Sequence, residues 1–452
     1  MDTKLPSYLD QTSSFGRRRF LKGVGYTAGL TAASSSLLAA CGGTQSSTSK
    51  TIAPKGTKVS GTITLAYLGT AAQQKSWQAL FALFQKQYPD VKLIAQANNS
   101  NNWASFFNTI STQIAGGKVP DLIQVATEGQ RLFASRGLVE PIDAYISRDQ
   151  DELTDFFNDI DPRLKEWAKL SSTDGKTYYL PGEFNPMCLW YSTDLYRKAG
   201  LNEPDDTWTW DDFLANAKKL TSPGVYGMQV PAAYFAGIMP WLLTNGASPL
   251  NGSWTQSTIT SAAAMESIQF MRDLVAQKIS PLPGGTYDPF GAMAQGKLAM
   301  FGGGRWPIVN IRELGFTNKV KIVAWPRKTQ QGSPIGFNAY PIMQASPNKE
   351  AAWAFVKFIT SKEASQYFAE QGGTIVPPRR SIATSDAFLA NAPVGSDKLY
   401  AALSYGSPVP APNKENIMEL AIVNSLTQIL AGNVSVSQGV TQLNQQIQAS
   451  LA

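Results

Sequence analysis

Between residues 62 and 126 the chain alternates strand-like and helix-like segments, and this alternation constrains the fold more than any other feature. Residues 62–67 alternate side chains as a half-buried strand does. Residues 72–88 place large apolar side chains at helical spacing, and Pro89 ends that pattern. Strand, helix and strand patterns follow at 91–96, 103–115 and 122–126. This order predicts an α/β sandwich with a largely parallel sheet.

Helical patterns return in the later part of the chain. Thr209 and Asp212 are spaced as a capping box at the start of a helix that runs to Leu220. Further helices are expected at 349–370 and at about 415–430, and Ser437 is expected to cap a final helix. A chain of this length exceeds what one hydrophobic core normally serves, so we expect two lobes.

The N-terminal segment has the features of an export signal. Residues 17–22 read Arg-Arg-Arg-Phe-Leu-Lys and resemble the twin-arginine motif, and an uncharged, modestly apolar run follows at 24–40. That run ends in Leu-Ala-Ala-Cys, which resembles a lipobox in which cleavage before Cys41 leaves the thiol to receive a lipid. The alternative is an unstructured tail with a chance run of arginines. We expect a signal peptide at 1–40, a flexible tether at 41–57 and a lipid-anchored protein outside the cytoplasm, on the periplasmic or outer face of the cell membrane.

The composition excludes several classes of function. The 452 residues include no histidine, which excludes a His-based triad, a histidine general base and a histidine metal site. The segment 1–40 carries five basic and two acidic residues, so its removal would lower the formal net charge from +6 to +3. That charge gives no reason to expect a nucleic-acid partner. The glycines at 302–304 lack the Gly-Lys-Ser/Thr end of a phosphate loop, and neither a cofactor nor a metal is expected.

Four segments of the chain carry motifs that occur together, in this order, in one known family. They include Val-Pro-Asp at 119–121, Leu-Trp-Tyr-Ser-Thr-Asp at 189–194, Gly-Lys-Leu-Ala-Met at 296–300 before Arg305-Trp306, and Ser-Pro-Asn-Lys-Glu-Ala-Ala-Trp at 346–353. Together they resemble the extracellular solute-binding proteins of bacterial ABC importers, in particular the sugar-binding family that includes maltose-binding protein. Ser192 departs from the asparagine that is usual in the family. The resemblance extends from about residue 60 to the end of the chain.

This resemblance implies two α/β lobes, joined by several crossing strands, that close by hinge bending over a ligand in the cleft between them. The implied function is capture of a mono- or oligosaccharide and its delivery to a membrane permease, without catalysis. The expected partners are the sugar, the permease subunits and, through Cys41, the membrane, and the protein is expected to be a monomer. The implied lobes are 58–181 with 333–376, and 182–332 with 377–452.

A sugar site needs polar groups for the hydroxyls and flat rings for the CH faces. Such groups are expected in loops at the carboxyl ends of strands and at the crossover between lobes. Glu128, Asn185 and Trp306 also match by position family residues that bind the sugar. The expected ligand contacts are Thr70, Glu128, Glu183, Phe184, Asn185, Tyr234, Trp241, Arg305, Trp306 and Asn338.

Several of these assignments have a structural alternative. Thr70 would otherwise lie in a plain turn, and Glu128 would be a charge in the first turn of a helix. Trp241 and Trp306 would be core residues, and Arg305 would form a salt bridge between lobes. The mixture of acids, amides, Arg305 and rings favours a neutral polyol. An arginine-rich cleft would favour an anion, and an acidic aromatic cleft would favour a cation.

Two other functions stay open at the level of sequence. The same fold could bind a polyamine, a peptide, a phosphate ester or iron. An exported carbohydrate-active enzyme would need two carboxylates across the cleft, and Glu128 and Glu183 are the candidates for that pair.

Overall fold

The structure is a computed structural model that describes residues 52–69, 71–100, 102–284, 287–370 and 374–452. The expected signal peptide, the expected lipid-bearing Cys41 and the predicted contact Thr70 lie outside the described residues, as does most of the expected tether. Within the described part of the chain, no helix is both long enough and apolar enough to cross a membrane.

The strands are β1 (Gly61–Leu68), β2 (Val91–Asn98), β3 (Leu122–Ile123), β4 (Val125–Ala126), β5 (Glu183–Asn185), β6 (Cys188–Ser192), β7 (Met300–Gly303), β8 (Val320–Val323), β9 (Ser333–Ala339) and β10 (Gly406–Pro408). The helices of the first half are α1 (Ala71–Gln87), α2 (Trp103–Ala115), α3 (Thr127–Ser135), α4 (Asp143–Arg148), α5 (Gln150–Asp159), α6 (Pro162–Lys169), α7 (Thr193–Lys198) and α8 (Trp210–Leu220).

The helices of the second half are α9 (Met239–Thr244), α10 (Ala262–Ala276), α11 (Pro289–Ala294), α12 (Ile308–Glu313), α13 (Lys349–Ile359), α14 (Lys362–Glu370), α15 (Arg380–Ala383), α16 (Asp386–Leu389), α17 (Asp397–Ala401), α18 (Glu415–Ala431) and α19 (Val436–Leu451). A π-helical turn at Tyr234–Ile238 precedes α9, and short 3-10 turns lie at Thr317–Lys319 and Ala402–Ser404.

These strands form three sheets. In the first sheet β1 lies between β2 and β3, and both pairings are parallel. In the second, β9 pairs antiparallel with β4 and β5 and parallel with β10. In the third, β6 lies between β7 and β8, and both pairings are antiparallel. The prediction of a largely parallel sheet is therefore confirmed for the first sheet and wrong for the other two. Their strands pair with partners far along the chain, and local spacing carries no information on that direction.

The predicted strand at 122–126 is divided at Gln124. β3 before this residue pairs with β1, whereas β4 after it pairs with β9. The chain therefore passes from the first sheet to the second at Gln124, and the side chain of this residue becomes part of the cleft described below.

Two helix predictions in the C-terminal part of the chain need correction, and the capping box predicted at Thr209 is confirmed. The helix predicted at 349–370 is two helices, because the chain turns after α13 and the hydroxyl of Ser361 accepts a hydrogen bond from the amide of Ala364 in α14. The last helix is capped by Ser435 and not by Ser437, since the Ser435 hydroxyl accepts from the amide of Gln438. The capping box between Thr209 and Asp212 is present as predicted.

Helix α18 packs against both α2 and α3. A Cβ atom on Gly129 of α3 would come within 2.5 Å of the Phe107 ring on α2, so the glycine permits the close approach of these helices. The Asn416 amide in the first turn of α18 donates to the side-chain oxygen of Asn108 on α2, at 2.9 Å. This packing brings the start of α18 beside the start of α3.

A buried carboxylate joins α4 and α5 to α13. Asp149 is 1% exposed and accepts hydrogen bonds from Arg148 at 2.7 Å, from the Trp353 indole at 2.7 Å and from Lys357 at 2.9 Å. Burial alone would raise the pKa of Asp149, but these hydrogen bonds outweigh burial and hold the pKa below its usual range.

We expect Asp149→Asn to lower the free energy of unfolding at pH 7 by about 2–3 kcal/mol, because the partly buried Arg148 and Lys357 each lose a charged partner and keep only Glu350 and Glu152. The wild-type carboxylate is stabilising above the pKa of the unfolded state, and this contribution is lost as the pH falls. The difference between the two proteins should therefore shrink between pH 7 and pH 3. Chemical denaturation at both pH values measures it.

The matched control is Asp151→Asn, which changes an exposed partner of Lys55 two residues along the chain. This variant should cost at most about 1 kcal/mol. An Asp149→Asn penalty as small as that of the control would contradict the role given to this network.

Candidate ligand-binding site

A cleft of about 400 Å³ opens beside β4, β5 and β9. This volume lies in the range of small-molecule sites in proteins. Six of the predicted contacts line it, and they come from distant parts of the chain: Glu128, Glu183, Asn185, Tyr234, Trp306 and Asn338.

Glu183 is the best-anchored polar group of the cleft. Its Oε1 atom accepts three hydrogen bonds, from Asn338 at 2.8 Å, from Gln124 at 3.0 Å and from the Tyr340 hydroxyl at 3.1 Å. Among the described residues, no donor reaches its Oε2 atom, although the residue is fully buried and lines the cleft. Burial raises the pKa of Glu183 to about 7, against the opposing effect of the three hydrogen bonds.

The predicted contact Phe184 does not line the cleft. Successive side chains of a strand point to opposite faces, so Glu183 and Asn185 face the cleft while Phe184 faces the interior. The Phe184 ring is 1% exposed and meets the Tyr400 ring edge-on at a centroid distance of 5.8 Å.

The three consecutive glycines lead from strand β7 into a tightly packed turn at Trp306: Gly302 and Gly303 end the strand, and Gly304 begins the turn. A Cβ atom on Gly302 would come within 2.7 Å of the Trp325 ring, and one on Gly304 within 2.5 Å of the Trp306 ring. The Asn185 side chain holds this turn, because its Oδ1 atom accepts from the Arg305 amide at 2.9 Å. The half-buried Trp306 ring lies 6.2 Å from that of Phe235, which also lines the cleft.

Arg305 points away from the cleft, into the interior. Its guanidinium lies 3.8 Å from the centroid of the Phe388 ring and donates to the carbonyl of Ala369 at 3.4 Å. The residue is fully buried, and burial lowers the pKa of its guanidinium to about 9. The contacts with Phe388 and Ala369 take the place of the sugar contact that the sequence indicated.

Trp241 also lies in the core, the alternative that the sequence left open. It is 1% exposed, and its ring meets those of Trp210, Phe213, Phe270 and Trp325 at centroid distances of 5.0–5.3 Å. The helical spacing that placed it near the cleft also fits a buried face, and only the packing distinguishes the two.

Tyr234 lines the cleft and anchors the π-helical turn. Its hydroxyl donates to the carbonyl of Pro410 at 2.7 Å, and the residue is 1% exposed. Short π-helical segments occur often at functional sites.

Three further residues that line the cleft were not predicted from the sequence. Ser100, Asn102 and Trp103 follow β2, and the carboxyl end of a strand is where an α/β sheet presents ligand contacts. The Trp103 ring stacks on Phe107 at 5.7 Å. Trp77, Gln124 and Glu419 also line the cleft, and no local pattern distinguishes them from core or surface residues.

Glu128 and Glu419 in the cleft and the neighbouring Glu415 lie close enough to repel one another when charged. Burial raises the pKa of Glu128 to about 7, and burial together with repulsion by Glu128 raises that of Glu419 to about 8. Glu415, in the first turn of α18, is fully buried, and burial with repulsion by Glu419 and Glu128 raises its pKa well above the usual value. The groups form no metal-binding cluster of three or more ligands among the residues that the structure describes.

A family model described as bacterial extracellular solute-binding protein matches residues 69–366. The chain belongs to this family. As a solute-binding protein it has curated relatives, among them a binding protein of Brucella abortus, 26% identical over 64% of this chain and 70% of the relative. The arabinooligosaccharide-binding protein of Bacillus subtilis is 24% identical over 62% of this chain and 65% of the relative.

Solved structures of solute-binding proteins share the fold. An ABC substrate-binding protein from Listeria monocytogenes, in complex with cycloalternan, aligns with a TM-score of 0.77 at 24% identity. The alignment covers 86% of this chain and 98% of that chain. The fold is therefore the two-lobe α/β fold of periplasmic binding proteins.

We expect Glu183→Gln to become relatively more stable than the wild type as the pH rises. The glutamine carbonyl can keep the three accepted hydrogen bonds. Because folding raises the pKa of Glu183, its protonated form stabilises the folded state of the wild type at pH values below the unfolded-state pKa. This stabilisation is lost as the pH rises through about 7. The free energy of unfolding of the variant, relative to wild type, should rise by roughly 2–3 kcal/mol between pH 4.5 and pH 8.5.

Glu313→Gln at the exposed end of α12 is the control and should change stability by less than about 0.5 kcal/mol at either pH. If the two variants show the same pH dependence, Glu183 is not the buried, high-pKa group described above.

Proposed function

We propose that this protein is the extracytoplasmic solute-binding component of an ABC importer, and that it captures a sugar in the cleft and delivers it to the permease. The observation that carries the proposal is the composition of the cleft. Oriented carboxylate and amide groups, among them Glu183, Asn185 and Asn338, lie beside the rings of Trp306 and Trp103. The carboxylate and amide groups can hydrogen-bond to the hydroxyls of a sugar, and the tryptophan rings can pack against its CH faces.

The relatives support a sugar rather than another solute. One is named as an arabinooligosaccharide-binding protein, and the Listeria structure holds the cyclic saccharide cycloalternan. The cleft volume of about 400 Å³ has room for a mono- or disaccharide, and hinge opening would extend it.

Segments 58–181 with 333–376 and 182–332 with 377–452 are proposed as the two lobes. With these bounds, both lobes contribute residues to the cleft. Trp103, Glu128 and Asn338 would belong to lobe one, whereas Asn185 and Trp306 would belong to lobe two. A ligand held by both sets would favour the closed state, because it makes its full contacts only there.

The test is a carbohydrate panel, read by calorimetry and by the shift in melting temperature. A saccharide that binds at one site per chain, unchanged after incubation, is the expected result. Binding of no saccharide would contradict the proposal. Release of reducing ends would instead favour the carbohydrate-active enzyme, which would use Glu128 and Glu183.

We expect Trp306→Ala to raise the Kd for the identified sugar at least about tenfold, because it removes the stacking face. Its melting temperature should change little, since Trp306 is only partly buried. Calorimetry and thermal melting of the same sample measure the two effects.

The control for this substitution is Trp241→Phe, at the buried tryptophan of the core. It should lower the free energy of unfolding by roughly 1–3 kcal/mol and leave the affinity near that of wild type. The reverse pattern, with affinity lost at Trp241 and kept at Trp306, would contradict the assignment of the stacking residue.

We further propose that the chain is exported with its segment 1–40 as signal and is anchored through a lipid on Cys41, as a monomer. In membrane fractionation of expressing cells, Cys41→Ala should move the protein from the membrane to the soluble extracytoplasmic fraction. Cys188→Ala is the matched control, because that thiol is buried in the folded body, and its product should remain with the membrane. Membrane association of Cys41→Ala equal to wild type would contradict the anchor.

A further inference from the structure

The charged residues of the cleft are all acidic, whereas the sequence predicted acidic residues together with Arg305. With Arg305 turned into the interior, none of the described residues that line the cleft is a lysine or an arginine. Three glutamates, Glu128, Glu183 and Glu419, line it. Within the described ranges, no ion pair joins any of the three to a cation.

These carboxylates are strongly desolvated. Glu128 is 5% exposed, Glu183 is fully buried and Glu419 is 9% exposed, and the fully buried Glu415 lies close to Glu128 and Glu419. A buried carboxylate is unfavourable unless a cation or several donors compensate it. Glu183 has three donors at one oxygen, whereas the described residues offer no donor to the Oε2 atoms of Glu183 and Glu419.

The unpartnered oxygens therefore call for a ligand that donates hydrogen bonds and carries positive charge. An ammonium group has three donors and no acceptor, and its positive charge would lower the raised pKa values of Glu128 and Glu419, so that both bind it as carboxylates. A phosphate ester or another anion would meet repulsion with no compensating arginine or lysine. A neutral hydroxyl would supply a donor but would leave the charge uncompensated.

The remaining groups of the cleft favour a sugar skeleton around that ammonium group. The partly buried rings of Trp103 and Trp306 offer flat apolar surface, which binds CH faces and also attracts cations. Ser100, Asn102 and Asn185 offer hydroxyl and amide groups for ring hydroxyls. A simple polyamine would leave these polar groups without ligand partners.

We propose that the cleft selects an amino sugar, whose ammonium group lies between Glu128 of α3 and Glu419 of α18 while its hydroxyls meet the amide groups of the cleft. This inference rests on the proposed function and makes it more specific. Helices α3 and α18 pack against each other, so ligand binding would compensate the repulsion between the two carboxylates across that contact.

The experiment compares matched pairs of saccharides by calorimetry at pH 7 with the full-length mature protein. The pairs are glucosamine with glucose, galactosamine with galactose, mannosamine with mannose, and short chitosan oligomers with cello-oligosaccharides of the same length. Within each pair, one member carries amino groups where the other carries hydroxyl groups. Spermidine is the cation without a sugar skeleton. In the pair that fits the cleft, the amino member should bind at least about tenfold more tightly.

Glu419→Gln should reduce this preference to less than about threefold, and Glu128→Gln should act in the same direction. Glu313→Gln is the exposed control and should leave the preference unchanged. Because both substitutions replace a buried carboxyl group, whose charged form burial disfavours, with a neutral amide, the melting temperature should not fall, and a melting scan of each variant verifies that it is folded.

Equal or tighter binding of the neutral members would overturn the amino-sugar proposal and leave the sugar-binding function standing. The same holds if Glu419→Gln and Glu128→Gln are folded and keep the full preference for the amino member. Binding of spermidine with no saccharide bound would overturn both proposals.

Discussion

The hydrogen bonds that Glu183 accepts join the segments of the chain that line the cleft. One oxygen of this buried carboxylate accepts from Gln124 and from the neighbouring residues Asn338 and Tyr340, which lie in two separate parts of the chain. Gln124 stands where the chain passes from the first sheet to the second, and Asn338 lies opposite Glu183 in the pairing of β5 with β9. The network therefore fixes the register of the crossing strand against the sheets. It also fixes which way the second oxygen points, because the other is fully engaged.

The positions of the other cleft residues follow from the alternation of side chains along β5 and from close packing around the glycines. Asn185 lies two residues beyond Glu183 on the same face and holds the amide of Arg305. The glycines at 302–304 pass so close to Trp325 and Trp306 that side chains there would collide with the rings. The turn consequently sends Arg305 inward and leaves Trp306 half-buried at the cleft. An arginine and a tryptophan that are adjacent in sequence thus have opposite surroundings, one in the core and the other beside the ligand space.

Sequence reasoning predicted the elements that local patterns control. The helix at 103–115 and the start of the helix at 415 agree with the structure, as does the capping box at Thr209. The predictions failed where contacts between distant parts of the chain determine whether a side chain is buried. Trp241 has the same helical spacing whether it faces the cleft or the core, and Glu415 and Glu419 look like solvent-exposed charges at the start of a helix. Only the packing of α18 against α2 and α3 buries them. That burial changes the cleft from a mixed site to an acidic one, which no pattern of residue spacing could indicate.

A crystal structure of the protein with its bound saccharide would show whether the cleft between Glu183 and Trp306 holds the sugar. We expect a sugar ring stacked on Trp306 at roughly 4 Å, with a hydroxyl or amino group donating to the Oε2 atom of Glu183. A saccharide bound elsewhere on the protein, with this cleft filled only by solvent, would contradict it.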